Sequence, residues 1–288
     1  MENDTFDKGK LRMSQKSEAP PAEMTGDMPA DMTGRIVLVS GGGRGIGRAI
    51  SELLASQGAA IAVNYRRDRD AAEETVAAIH AAGGSARAYE ASVDDPLACA
   101  TMIDSVVTDF GGLDTLVCNA GVASRGKSVA DTDPDEMIRV VTTHAFGPHH
   151  LSRLAIPHMR RRAANGGRGD IVMISSVATS SMSANGAPYN MGKAAMEALA
   201  LTLAKEERPN GIHVNIVAPG LVETDMGLRL ARAFTGNRDM ADLRALDAGS
   251  PFGRVCQPLD VAKVVLWLCS AGSGYVTGQR IECNGGGN

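Results

Sequence analysis

Residues 35–47, Arg-Ile-Val-Leu-Val-Ser-Gly-Gly-Gly-Arg-Gly-Ile-Gly, join a short apolar run to a turn rich in glycine. The run from Ile36 to Val39 is typical of a buried strand, and a helix is predicted from about Gly45 to Gln57, where Gly58 stops it. Small residues between a strand and a helix let the backbone approach a pyrophosphate at the helix N-terminus. We therefore predict a dinucleotide-binding turn; the alternative is a tight turn without a ligand.

Strand and helix patterns alternate through the rest of the chain. Further strands are predicted at 60–64, 86–91, 113–117, 171–174, 212–217 and 279–283, and helices at 70–81, 97–110, 134–161, from 188 onward and at 258–268. Strict alternation predicts an α/β fold with a doubly wound parallel sheet, Rossmann-like, covered by helices on both faces.

The alternation also gives the domain boundaries. Residues 1–33 are polar, contain three prolines and show no periodicity, so we predict a disordered tail; a partner-binding or targeting role, or a start codon assigned too early, are alternatives. Residues 34–288 are predicted to form one domain. Within it, residues 221–252 are a polar, irregularly helical insertion after a strand, where a substrate lid is expected rather than a passive excursion.

Composition excludes several classes of protein. A net charge of −4 argues against a nucleic-acid-binding surface. The five cysteines are scattered without metal-ligand spacing, so neither a disulfide framework nor a metal site is predicted. No apolar run approaches the roughly 18 residues of a membrane span, and no signal-peptide pattern opens the chain. We expect a cytoplasmic protein with no membrane partner.

A second group of polar residues follows the strand predicted at 171–174. Ser176 lies just beyond that strand, while Tyr189 and Lys193 are four residues apart on the helix that Pro188 begins. A neighbouring ammonium group and the helix dipole favour the phenolate, and would lower the pKa of Tyr189 towards neutrality. The sequence therefore predicts a general acid or base at Tyr189; the alternative is an ordinary exposed Tyr/Lys pair.

The residues after the second strand bear on the cofactor. An acidic residue that would bind a ribose 2′-hydroxyl is replaced there by Tyr65, Arg66 and Arg67, and Arg44 lies in the glycine turn. Guanidinium groups pair well with phosphate. We predict NADP(H) rather than NAD(H); the alternative is that these arginines are simply exposed loop charges.

Together these motifs resemble the classical short-chain dehydrogenase/reductase family over about residues 34–287. They are the turn at 40–47, Asn119-Ala120-Gly121, Ser176, Tyr189-x-x-x-Lys193, Pro219-Gly220 and Thr277-Gly278-Gln279 before Gly285-Gly286. The resemblance implies about seven strands and a homotetramer, with a dimer as the alternative. It also implies that Tyr189 transfers the proton, that Ser176 polarises the carbonyl, and that Lys193 holds the nicotinamide ribose and lowers the pKa of Tyr189.

The resemblance extends to the cofactor contacts. The residues it implies are Ser40, Gly41, Gly43, Arg44, Gly45, Ile46, Gly47, Tyr65, Arg66, Arg67, Ser92, Val93, Asn119, Ala120, Gly121, Tyr189, Lys193, Pro219, Gly220, Val222 and Thr224.

Four positions depart from the family pattern. Ser40 replaces Thr, Cys118 replaces Asn, and Ser92 replaces an Asp that commonly contacts the adenine. His144 stands where an Asn completes the family's catalytic group and holds a water on a proton relay to the lysine. Since histidine can donate, accept and titrate near neutrality, we hypothesise that His144 takes over the relay and steepens the pH dependence. The alternative is a weakened relay in which His144 only fills space.

The leading functional hypothesis is an NADP(H)-dependent oxidoreductase that interconverts a ketone and a secondary alcohol, similar to 3-oxoacyl-[acyl-carrier-protein] reductases or to sugar and alcohol dehydrogenases. Its substrate would be a small carbonyl compound or an acyl thioester. Two alternatives stay open: a non-redox enzyme on the same scaffold, such as a dehydratase or epimerase, and a non-catalytic NADP-binding sensor.

Overall fold

The computed structural model describes residues 31–287, the side chains of Ala233 and Phe234 excepted. Most of the predicted tail therefore lies outside the described residues. The last part of that segment already belongs to the domain: Met32 is fully buried, and its N–H donates to the carbonyl of Gln57 at 2.9 Å. The domain therefore includes Met32, two residues before the expected boundary.

Within residues 31–287, seven strands form a single parallel sheet, which confirms the predicted fold class. The strands are β1 Ile36–Val39, β2 Ala60–Tyr65, β3 Ser85–Glu90, β4 Thr115–Cys118, β5 Gly169–Ile174, β6 Ile212–Pro219 and β7 Arg280–Cys283. Their order is β3-β2-β1-β4-β5-β6-β7. The chain reverses its direction of travel across the sheet at β1 and β4, the place where doubly wound sheets bind ligands.

Helices cover both faces of this sheet. They are α1 Gly45–Ser56, α2 Arg69–Ala81, α3 Pro96–Phe110, α4 Pro134–Val141, α5 Gly147–Ala164, a short α6 Ala178–Ser181, α7 Ala187–Glu207, α8 Asp225–Thr235 and α9 Pro258–Cys269. Aspartates cap three of them: Asp68, Asp95 and Asp133 accept N–H bonds from the first turns of α2, α3 and α4. Proline in the first turn of α3 and α4 needs no hydrogen-bond partner there.

Two hydrophobic cores follow from the alternation of side chains along each strand. In β1, Leu38 belongs to the core shared with α3 and α5, whereas Val37 and Val39 belong to the core shared with α1 and α9. Nearly every strand residue near the sheet centre is buried on one side or the other. This explains the continuous apolar strands, which are expected in a sheet covered on both faces.

The helix predicted at 134–161 is interrupted. It is divided into α4 and α5 by a π-helical turn at Thr142–Phe146, and α5 continues to Ala164. Pro148 has no N–H to donate to the carbonyl of His144, so the α-helical hydrogen-bond ladder cannot continue through this point.

The segment at 221–252 contains α8 and 3₁₀ turns at Leu243–Gly249 and Pro251–Gly253, which agrees with an irregularly helical insertion.

Candidate active site

A cavity of about 580 Å³ opens at the carboxyl ends of the central strands. The predicted site residues that line it are Gly41, Gly43, Arg44, Gly45, Ile46, Gly47, Tyr65, Arg66, Arg67, Val93, Asn119, Ala120, Gly121, His144, Ser176, Tyr189, Lys193, Pro219, Gly220, Val222 and Thr224. Ser40 and Ser92 lie outside this lining. The proposed catalytic and cofactor residues, which are widely separated in sequence, therefore meet in one space.

The glycine turn forms the floor of the cavity at the start of α1. Gly41 and Gly45 have φ of +61° and +54°, a region that favours glycine. A Cβ on Gly47 would lie 2.1 Å from the carbonyl oxygen of Gly41, and one on Gly43 would lie 2.9 Å from the backbone of Ala72. Glycine at these positions therefore lets the turn pack closely against its own backbone and against α2. The N-terminus of α1 lies in the lining of the cavity, where a helix can bind a pyrophosphate.

Ser40 supports the turn from behind. Its hydroxyl accepts the N–H groups of Asn119 at 2.9 Å and Ala120 at 3.0 Å, and donates to the carbonyl of Val117 at 3.2 Å. The amide of Asn119 in return donates to the carbonyls of Ser40 and Gly41, both at 3.0 Å. Ser40 was expected to contact the cofactor; instead it joins the ends of β1 and β4, because its hydroxyl points towards β4.

Charged residues gather at the end of β2. Arg44 lies 3.6 Å from Asp68, and Arg66 lies 3.3 Å from Asp94. Arg67 is exposed at the cavity edge, while Tyr65 is buried and its hydroxyl is 3.4 Å from the carboxylate of Glu90. Arg44, Arg66 and Arg67 thus line the same cavity, with acids beside Arg44 and Arg66.

Ser92 does not contribute to the cavity as expected. Its carbonyl accepts the N–H of Asp95 at 3.1 Å in the cap of α3, and the neighbouring Ala91 and Val93 line the cavity instead. The strand end turns away at this residue, so the side chain that would replace the family's Asp does not face the cofactor space.

Lys193 points to the end of β5. Its Nζ donates to the carbonyl of Ile174 at 2.6 Å and lies 5.7 Å from the centre of the Tyr189 ring. The side chain is fully enclosed, and this burial lowers the pKa of Lys193 to about 7. Its ammonium group is therefore only partly populated near neutral pH in the free protein.

Tyr189 differs from the expectation. Burial raises the pKa of its phenol, and the hydroxyl of Ser176 opposes that rise. The predicted lowering by Lys193 is not found, because Nζ is directed to Ile174 and because burial removes part of its charge. The phenol is accordingly neutral at pH 7, the form that can donate a proton. Ser176 is itself held by the N–H of Ala178, which its Oγ accepts at 3.2 Å.

His144 lies in the π-helical turn, packed edge-on against Tyr189 with ring centres 5.0 Å apart. Its Nε2 donates to the carbonyl of Val122 at 2.8 Å, and its Nδ1 is buried without a partner among the described residues. Burial, and then the charge of Lys193, lower the pKa of His144 well below its ordinary value. The expectation that this residue titrates near neutrality is therefore wrong; its Nδ1 stays available as an acceptor.

Two glycines make room for this histidine. A Cβ on Gly121 would lie 2.7 Å from Cε1 of His144, and one on Gly192 would lie 2.8 Å from its Cβ. The ring therefore occupies a slot between the β4 loop and α7. The sequence shows that both residues are glycines, but only the structure shows that they enclose His144.

Several lining residues were not identified from the sequence. They are Asp68, Val122, Arg139, Thr143 and Ser175. Met226 and Leu230 of α8 also line the cavity, and they belong to the segment 221–252 in which a substrate lid is expected. Thr143 precedes His144 in the π-helical turn, and its hydroxyl donates to the carbonyl of Arg139 at 3.0 Å. Asp68 follows the arginines at 66 and 67, and its pairing with Arg44 depends on the fold.

The site fits a nicotinamide dinucleotide. Gly45, Ile46 and Gly47 place the N-terminus of α1 in the cavity lining, where a pyrophosphate would bind, and the arginines at the end of β2 provide positive charge. Among the described residues, no three His, Cys, Asp or Glu side chains form a group that could hold a metal ion. No helix of residues 31–287 combines the length and apolarity that a bilayer crossing requires.

Comparisons with known proteins agree with this geometry. A family model described as Enoyl-(Acyl carrier protein) reductase matches residues 41–288. Versicolorin reductase stcU of Emericella nidulans is 37% identical over 263 residues, which cover 88% of this chain and 96% of that protein. Tetrahydroxynaphthalene reductase of Pyricularia oryzae is 35% identical over 281 residues, covering 96% of each chain.

Solved structures show the same relationship. A short chain dehydrogenase from Burkholderia cenocepacia J2315 in complex with NADP is 32% identical with a TM-score of 0.77, covering 89% of this chain and 98% of that one. NAD+-bound xylitol dehydrogenase is 29% identical with a TM-score of 0.80, covering 88% and 99%. The fold, the site and these relatives together show that the chain belongs to the short-chain dehydrogenase/reductase family of nicotinamide-dependent oxidoreductases.

Proposed function

We propose that the protein is an NADP(H)-dependent ketoreductase that interconverts a ketone and a secondary alcohol. One observation carries the proposal: Ser176, Tyr189 and Lys193 line the same cavity as the glycine turn. A nicotinamide cofactor bound at the glycine turn would bring its reactive ring towards the part of the cavity that the phenol of Tyr189 and the hydroxyl of Ser176 line. Positioning of this kind and a placed acid both contribute to such a reaction.

The proton chemistry follows from the burial of each group. A phenol has an ordinary pKa of about 10 and burial raises the pKa of Tyr189 further, so Tyr189 is neutral at pH 7 and carries the proton that it would donate to the substrate oxygen. The hydroxyl of Ser176 donates a hydrogen bond to the same oxygen and stabilises the negative charge that develops there. NADPH, when bound, supplies the hydride. Lys193 lies beside the phenol, with Nζ 5.7 Å from the centre of the Tyr189 ring, and its hydrogen bond to the carbonyl of Ile174 fixes it at the end of β5.

The preference for NADP(H) rests on the charges at the end of β2. Arg44 and Arg67 line the cavity, Arg67 is exposed there, and Arg66 stands beside them. Asp68 and Asp94 partly neutralise this group, at 3.6 Å and 3.3 Å from their arginines. A 2′-phosphate would compete for these guanidinium groups and form charge-assisted hydrogen bonds.

The substrate is proposed to be the keto form of a polyhydroxylated aromatic compound, with a 3-oxoacyl thioester and a sugar alcohol as alternatives. The name of the Pyricularia relative supports the first class. Apolar side chains of the segment 221–252, Leu221, Met226 and Leu230, line the cavity and would contact the substrate, which supports a lid role for this segment.

The assembly is proposed to be a homotetramer in the cytoplasm, with a dimer as the alternative. Large apolar side chains such as Ile138 and Phe146, 63% and 55% exposed, lie on or beside α4 and support association. Sedimentation equilibrium over a range of protein concentrations tests the oligomeric state, and a monomer at every concentration would reject it.

The activity is tested by following NADPH consumption with a panel that includes a tetrahydroxynaphthalene, a 3-oxoacyl thioester and a sugar ketone. The wild type is compared with Tyr189→Phe, which keeps the ring and removes the proton. We expect kcat to fall about 1,000-fold with NADPH binding retained, since the general acid is removed. Turnover unaffected by this substitution would reject Tyr189 as the acid. Tight NADPH binding without turnover of any substrate would favour a sensor.

A further inference from the structure

Behind Ser176 lies an ionic cluster that the proposed chemistry does not use. Glu197 lies on α7, one turn beyond Lys193, and Arg280 begins β7. Their side chains are 3.0 Å apart and largely buried, with exposures of 15% and 23%. The two residues are 83 positions apart in sequence, so only the fold brings them together.

Both charged groups bind the segment that carries Ser176. One carboxylate oxygen of Glu197 accepts the hydroxyls of Ser175 at 2.5 Å and Thr179 at 2.8 Å, on either side of Ser176. The guanidinium of Arg280 donates to the hydroxyl of Thr179 at 2.9 Å and to the carbonyl of Ser176 itself at 3.3 Å. The cluster therefore holds Ser175, Ser176 and Thr179, which run from the end of β5 into α6.

This arrangement bears on the orientation of the Ser176 hydroxyl. Residues 175 to 179 leave the end of β5, and their backbone is tied to β6, since the N–H groups of Ser175 and Val177 donate to the carbonyls of Val217 and Pro219. The contacts of Glu197 and Arg280 add to this pairing by holding two side chains of the segment and the carbonyl of Ser176. A displacement of about 1 Å in a group that stabilises a transition state can reduce a rate about 100-fold. Charge-assisted hydrogen bonds within a partly buried cluster are strong enough to prevent such a displacement.

We propose that Glu197 and Arg280 are a positioning pair that holds Ser176 in register with the substrate carbonyl. The proposal rests on the ketoreductase function above. It assigns to both residues an effect that passes through Ser176, because neither lines the cavity. It is distinct from a purely structural role, in which their loss would weaken the fold and lower the rate independently of Ser176.

The kinetic test is a double-mutant cycle between Ser176→Ala and Glu197→Gln. Glutamine keeps the shape of the side chain and an oxygen that accepts the hydroxyls, but removes the charge facing Arg280. Alone, Glu197→Gln is expected to lower kcat about tenfold, with KM for the ketone and the Kd for NADPH changed less than twofold. In the Ser176→Ala background it should lower kcat by less than twofold. Equal losses in both backgrounds would overturn the proposal.

Arg280→Met serves as a second variant and should repeat this pattern, because it removes the partner charge. Glu206→Gln is the matched control, since Glu206 is an exposed residue on the same helix. It should leave kcat, KM and NADPH binding at wild-type values, and a loss equal to that of Glu197→Gln would assign the effect to helix charge in general.

A second measurement does not depend on turnover. Hydrogen–deuterium exchange of residues 175–181, followed by mass spectrometry, should be at least tenfold faster in Glu197→Gln than in the wild type, with α7 unchanged. Unaltered exchange in this segment would overturn the proposal. If the wild type reduces no ketone, the proposed function fails, and the exchange measurement still decides whether the pair holds Ser176.

Discussion

Replacing Lys193 by methionine should stabilise the free protein while removing its activity. The ammonium group is fully enclosed, and burial lowers the pKa of Lys193 to about 7 from 10.5. The unfolded chain therefore binds more protons than the folded one between these two values, and stability rises with pH across that window. This difference between the pKa of Lys193 in the folded and in the unfolded chain destabilises the fold by about 5 kcal/mol at pH 6 and about 2 kcal/mol at pH 9.

The substitution also removes a favourable contact. Nζ donates to the carbonyl of Ile174 at 2.6 Å, and a hydrogen bond from a charged group contributes about 2 kcal/mol. Methionine has a similar length and fills the same enclosed space without a charge. The free energy of unfolding of Lys193→Met should therefore exceed that of the wild type by about 3 kcal/mol at pH 6. At pH 9 the folded protein holds a neutral lysine whose hydrogen bond contributes about 1 kcal/mol, so the excess should fall to about 1 kcal/mol.

The measurement is urea unfolding followed by circular dichroism at pH 6 and pH 9, without cofactor and at one protein concentration. Comparing wild type and variant at each pH removes the contribution of all other titrating groups. Lys205→Met is the control: Lys205 is exposed on the same helix, so its substitution should change stability by less than about 0.5 kcal/mol at either pH. A variant that is no more stable than the wild type at pH 6, or a gain independent of pH, would refute the reasoning.

Three further predictions concern the cofactor cleft. The pH–rate profile of His144→Asn between pH 6 and 9 should have the same shape as that of the wild type, because burial keeps the pKa of His144 below this range. A change of rate with pH that occurs only in the wild type would contradict this prediction. Arg67→Ala should raise the Kd for NADPH about tenfold in fluorescence titration and that for NADH less than twofold, as expected for a lost phosphate contact; equal losses would exclude a 2′-phosphate role. Gly47→Ala places a Cβ 2.1 Å from the carbonyl of Gly41 and should weaken NADPH binding at least 100-fold, whereas Gly249→Ala, with open space around it, should not change binding.

The fold class could be predicted because its signals are local. The apolar run before Ser40, the glycines after it and the regular alternation of strands and helices each depend on neighbouring residues. The same holds for Tyr189 and Lys193, whose spacing on one helix places them together wherever the helix lies. Gly43 and Gly47 show why such residues are informative: both stand where a side chain would collide with backbone.

The interrupted helix could not be predicted in the same way. The amphipathic pattern continues from α4 into α5, and only the hydrogen-bond geometry before Pro148 shows the π-helical turn. That turn aims His144 at Tyr189 and Val122, which decides the histidine's environment.

The sequence by itself determined which groups are present in the site and which strands carry them, since residue identity and periodicity are local properties. The tertiary structure decided their state. Burial raises the pKa of Tyr189 and lowers those of Lys193 and His144, opposite for the phenol to what the helix spacing alone predicts. The pairing of Arg280 with Glu197 could not be predicted from the sequence either, because the two residues are far apart in the chain. Desolvation and ion pairing depend on the groups that the fold brings from elsewhere in the chain.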